Sequence, residues 1–72
     1  MKYVVIIEKS KTGYGAYVPD LPGCIAAGES ETEVKQLIAE AIEVHLKGFI
    51  EDCEPVPMPS SESFTVDVHA AY

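Results

Sequence analysis

"SETEVKQLIAEAIEVHLKGFIED", residues 30–52, is the clearest segment of this 72-residue chain, and its reading decides the fold class. Val34, Leu37, Ile38, Ala41, Ile42, His45, Phe49 and Ile50 recur at three- and four-residue spacing, which lines them along one face of a helix. Glu31, Glu33, Lys35, Glu40, Glu43, Lys47 and Glu51 fall mostly off that stripe. Ser30 and Glu33 stand in capping-box register, where hydroxyl and carboxylate each satisfy a backbone N–H left free at a helix start. Gly48 costs about 1 kcal/mol relative to Ala inside a helix, so the last turn is expected to fray or to pack closely.

Everything upstream of this helix has strand character. "KYVVIIEK" (2–9) is rich in β-branched residues and apolar on both alternating faces, with Tyr3, Val5 and Ile7 on one and Val4 and Ile6 on the other. A strand covered on both sides is written this way, so it is expected at the centre of a sheet. "SKTG" (10–13) is a polar turn whose Gly13 is free to take positive φ, and "YGAYV" (14–18) completes a hairpin. Gly15 in that second strand suggests a bulge or a close approach by another group. Pro19 and Pro22 in "VPDLPGC" (18–24) donate no ladder hydrogen bond, and each pushes the residue before it toward extended geometry. Gly23 then lets the backbone reverse, so the stretch reads as a rigid corner leading into a short third strand, "CIAAGE" (24–29).

Downstream, "CEPVPMPSSES" (53–63) is a loop that its three prolines hold extended. "FTVDVHA" (64–70) alternates cleanly, with Phe64, Val66 and Val68 inward and Thr65, Asp67 and His69 outward, as a half-buried strand does. The order is β-β-β-α-β, an α+β fold. An antiparallel three-stranded meander is followed by one helix, and a right-handed crossover sets the last strand parallel to the first. One helix covers one face of such a sheet, so self-association as a dimer or higher is expected to cover the other.

Composition narrows the function classes. A single domain over residues 1–72 has a core that rarely supplies more than about 3–5 kcal/mol net. No apolar run reaches the ~20 residues of a membrane span, and the amino terminus has no small-residue cleavage site, so the chain is expected in the cytosol, off the membrane. The net charge is −7, with five lysines and no arginine, which suits a basic partner and not a phosphate backbone. Cys24 and Cys53 form neither a CxxC pair nor a Cys/His cluster, so both read as reduced small side chains, with Cys24 buried and structural. Phosphate-loop, GxSxG and HExxH signatures are missing from the sequence. Glu8, Asp20 and Asp67 are the acids best placed on or beside strands to hold a divalent ion, which keeps a metal-dependent nuclease as the alternative. Solvated strand ends explain them better, and no catalytic, metal or cofactor residue is assigned. His45 reads as a hydrogen-bonded or partly buried helix residue, and His69 as exposed.

Taken together, "MKYVVIIEK", "YGAYVPDLPGC", "GESETEV" and "AIEVHLKGFIEDCEPVPMPS" resemble the HicB family of antitoxins over essentially the whole chain. The resemblance implies a partial, degenerate ribonuclease H-like fold serving as the antidote half of a type II toxin–antitoxin pair. In such pairs the toxin, HicA, is a small basic protein that cleaves messenger RNA with a histidine, and the antitoxin binds it and blocks its active face. Beside the nuclease, an orphan oligomeric domain without a toxin is the other alternative. Many members continue into a DNA-binding module; this chain, ending at Tyr72, is expected to carry none and to bind no nucleic acid itself. A preorganised corner at Pro19, Asp20, Leu21 and Pro22 is the candidate partner contact, with Asp20 and Leu21 presented outward. Gly13, Gly23, Cys24, Ser30 and Glu33 are expected to serve the scaffold.

Overall fold

The computed structural model describes residues 1–69. Strand β1 (Ile6–Lys9) pairs antiparallel with β2 (Tyr14–Tyr17), and β2 with β3 (Ile25–Gly28), after which a single helix α1 (Glu31–Glu51) closes the folded part. The α+β meander and the helix expected from sequence are both present, and the helix limits differ from 30–52 by one residue at each end.

Pleating sorts the strands into two faces. Ile7 pairs with Ala16 and Ala16 with Ala26, which puts these three on the face that meets α1. On that side Ala16, Val18, Leu21 and Cys24 join Val34 and Ile38 of the helix in the buried core, and Tyr3, Val5, Ile7, Ala41, Ile42, Leu46 and Phe49 pack around it. Complete burial of Leu21 alone contributes about 1.5–3 kcal/mol. The helical stripe is therefore shifted from the one read in the sequence. Leu46 belongs to it, whereas Ile50 is 67% exposed and Leu37 lies at its margin.

The helix is defined at both ends. Ser30 Oγ accepts from the Glu33 N–H at 3.1 Å, and Glu33 Oε1 accepts from the Glu29 N–H at 3.3 Å, one residue before the usual capping-box donor. At the far end the Cys53 N–H donates to Ile50 and the Glu54 N–H to Phe49, the paired bonds of a Schellman motif. Cys53 sits at the left-handed position of that motif with φ 55°, where glycine is usual. Gly48 neither frays the helix nor receives a neighbour, since the space beside it is open.

One expectation is extended and two are corrected. Gly13 takes the positive φ expected of it, 158°, and proximity demands a glycine there as well. A Cβ there would stand 2.6 Å from the Gly28 carbonyl oxygen, where the hairpin turn crosses the end of β3. Gly15 marks no bulge, because it pairs in unbroken register with Glu8 and Ala27. Finally, β1 is an edge strand and not the central one: the sheet order is β1-β2-β3, and residues 64–69 form no strand beside it. The cause lies in the exit from the helix. The Tyr3 hydroxyl donates to the Pro57 carbonyl, and Asp20 holds Ser60 and Ser61, so the proline-rich segment is tied to the corner end of the sheet. Beyond it, none of the described residues joins the ladder. Ala70, the last residue of the expected strand, lies outside the described residues.

Candidate partner-binding surface

The corner between β2 and β3 is two successive turns. The Leu21 N–H donates to the Val18 carbonyl at 3.1 Å, closing V-P-D-L, and the Cys24 N–H donates to the Leu21 carbonyl at 3.0 Å, closing L-P-G-C. Proline fixes the second residue of each turn. In the second turn Gly23 follows with φ 83°, the combination that a type II turn requires. A bond from the Val18 N–H to the Cys24 carbonyl, 3.2 Å, ties the two ends together. The conformation is thus written into P-D-L-P-G by local geometry.

Tertiary contacts then fix what the corner presents. Leu21, expected outward, is fully buried and anchors the loop from beneath, with Cys24 beside it in the core. Burial also pushes the Cys24 thiol up from its ordinary pKa, which keeps it protonated and unreactive. Asp20 accepts the backbone N–H groups of Ser60 and Ser61 on Oδ2 at 3.0 and 2.9 Å, and their hydroxyls on Oδ1 at 3.0 and 2.9 Å. Those donors, the backbone groups of Ser61 and Ser60 foremost, hold its carboxyl at about 2 against an ordinary 3.8. His45, one helical layer away, lies with Nε2 3.3 Å from the Pro22 carbonyl oxygen; a carbonyl only accepts, so Nε2 carries the proton. Pro19, Pro22 and Gly23 form the exposed crest.

Charge is distributed unevenly around this corner. Eight of the twelve acids lie between residues 29 and 54, against only two lysines, so the helix and its two ends carry most of the negative field. Lys35 is held by Glu31 at 3.7 Å, an exposed i,i+4 pair that stabilises by no more than about 0.5 kcal/mol. Glu31, Glu40, Glu43 and Glu51 all face solvent. On the other side of the sheet, a shallow groove over Gly15 and Ala27 is flanked by Tyr17 and by Ile25, which is 70% exposed.

The acids weighed as metal ligands stay apart. Glu8 is exposed near the end of β1, Asp20 is engaged by the two serines, and Asp67 is exposed beyond residue 63. Among the described residues no three of His, Cys, Asp and Glu come together as a metal site, and no helix is long and apolar enough to cross a membrane.

Residues 3–70 match the family of HicB-like antitoxins of bacterial toxin–antitoxin systems. The chain belongs to that family. It is 44% identical over 57 residues to a 14.9 kDa protein from the rep–hol intergenic region of Haemophilus phage HP1, a match spanning 79% of this chain and 43% of the phage protein. A UPF0150 protein of Helicobacter pylori is 37% identical over 67 residues, covering 93% of this chain and 92% of that one. Among solved structures, a chain of a HicA3 and HicB3 toxin–antitoxin complex superposes with a TM-score of 0.71 at 30% identity, over 83% of this chain and 70% of that one.

Within this HicB-like antitoxin, three contacts at or near the candidate surface escape a sequence reading: Ser60 and Ser61 with Asp20, His45 with Pro22, and Tyr3 with Pro57. They join residues 23 to 54 positions apart, and nothing local to either partner announces them. The one trace is the serine pair after Pro59, two adjacent free N–H groups with hydroxyls, which is a ready donor cradle for a carboxylate.

Proposed function

We propose that this protein neutralises a small, basic, HicA-like messenger-RNA-cleaving toxin by occupying its RNA-binding face. One observation supports the reading above the rest: a member of an antitoxin family carries a net charge of −7, most of it along one helix and its ends. A basic RNA-binding face is built to attract phosphates, and an acidic surface of complementary shape competes for the same groups. The related chain in a HicA3 and HicB3 toxin–antitoxin complex lends this its partner class. In this reading the chain performs no chemistry of its own and works in the cytosol, on a degenerate ribonuclease H-like scaffold.

The corner at Pro19, Asp20, Leu21 and Pro22 contributes the rigid part of the contact. Pro19 and Pro22 touch the toxin, Leu21 holds them up from the core, and Asp20 acts through the serines it gathers. Because the loop is already fixed, little ordering cost falls on complex formation.

The test is direct. The purified chain is mixed with a purified HicA-like toxin, and cleavage of RNA by that toxin is followed. Inhibition at a one-to-one ratio is expected, and Asp20→Ala, folded by circular dichroism, is expected to inhibit less well. RNA cleavage unchanged at excess antitoxin overturns the proposal.

A further inference from the structure

The segment after Ser63 and the free edge of β1 are each half of a structural unit. Phe64, Val66 and Val68 are 87%, 65% and 77% exposed and alternate with Thr65, Asp67 and His69. That is the period of a strand with one face to bury, yet among the described residues it has no ladder. Along residues 3–7 the chain is apolar on both alternations and only half-buried, and it pairs with β2 alone, from Ile6 onward. The helix lies closest to β3 and β2, so β1, with Tyr3, Val5 and Ile7 only half-buried, sits at the margin of the core. Neither proline nor a charge interrupts residues 3–7, so this is the kind of edge that recruits another strand.

We propose that two copies of this protein exchange these segments: residues 64–69 of each lie along the free β1 edge of the other. The exchange makes β1 a central strand, which is what its two apolar faces call for. It lays Phe64, Val66 and Val68 against the side of the sheet where Tyr3, Val5 and Ile7 are half-buried. The shape of the chain agrees. Its radius of gyration is 14.6 Å, where a compact chain of this length has about 11 Å, and its longest extent is 53 Å. Residues 57–61 are already tied to Tyr3 and Asp20, so the segment leaves from a fixed root and only its last residues need ordering. Reciprocal exchange is isologous and closes at two copies. Both copies carry −7, so salt screens their repulsion and tightens the dimer, opposite in sign to capture of a basic partner.

The inference concerns the chain alone and does not depend on the toxin. Analytical ultracentrifugation of the full chain is expected to give twice the 7.8 kDa protomer mass, with dissociation weaker at high salt. Phe64→Ser with Val66→Ser changes only exposed side chains. It is expected to keep the helical circular dichroism and raise the dimer dissociation constant at least about a hundredfold, since two apolar side chains per copy lose their burial. Amide exchange is expected to show residues 4–7 and 64–69 protected together in the dimer, with both losing protection in the variant. A monomer at high micromolar concentration overturns the proposal, whether 64–69 is unprotected or protected on its own β1. So does a dimer that the double substitution leaves unchanged.

Discussion

Asp20 shows how a single side chain is defined by residues forty positions away. Its carboxylate gathers four donors from Ser60 and Ser61, and each of them favours the charged form. With the folded pKa near 2 and the ordinary value at 3.8, this contribution is complete above about pH 4 and is lost as the pH falls through 2. Amide protection at Ser60 and Ser61 is expected to disappear over that interval, whereas in Asp20→Asn the same step is absent. A loss of protection centred near pH 6 would assign the tether to another group. Gly13 is fixed by a different force. With the Gly28 carbonyl 2.6 Å from where a Cβ would stand, Gly13→Ala has to move backbone, and urea unfolding is expected to show a loss of about 1–3 kcal/mol. The sequence marks both residues as special, and the positive φ it suggests for Gly13 is present. The close approach of the Gly28 carbonyl is a second requirement, which only the pairing of the strands reveals.

At the scale of elements, the local signals and the structure agree where the chain's own geometry suffices. Ser30 caps α1, two prolines and Gly23 close two turns, and the alternation of Tyr3, Val5 and Ile7 marks the face that meets the helix. The end of α1 is the exception. Cys53 occupies a left-handed conformation that costs an L-residue roughly 1–2 kcal/mol. Part of that is offset by the extra freedom glycine has when unfolded. Cys53→Gly is therefore expected to stabilise the protein by about 0.5–1 kcal/mol in thermal or urea unfolding, and a destabilised variant would show that the exposed thiol has a contact of its own. The apolar pattern stops at Ile50, one residue before the helix does. The Schellman bonds of Cys53 and Glu54 end it.

For the whole molecule, charge and topology decide behaviour together. A helix bearing most of the −7 next to a rigid crest should bind a basic partner less tightly as salt rises, because part of the attraction is screened. Isothermal titration of the antitoxin with its toxin between low and physiological salt is expected to show the affinity fall, and a flat response would remove charge from the explanation. The sequence by itself determined the α+β class, the hairpin, the capped helix, the stiff corner and the acidic balance, since each follows from neighbours within a few residues and from simple counting. It placed β1 at the centre of the sheet and Leu21 on the surface, and both positions were decided by tertiary structure. Which strand lies at an edge depends on where a distant segment is tied, here by Tyr3 and Asp20. Which side of a loop faces in depends on the helix that arrives beneath it. Such contacts span tens of residues, and their energy resides in the pairing and not in either partner's local sequence.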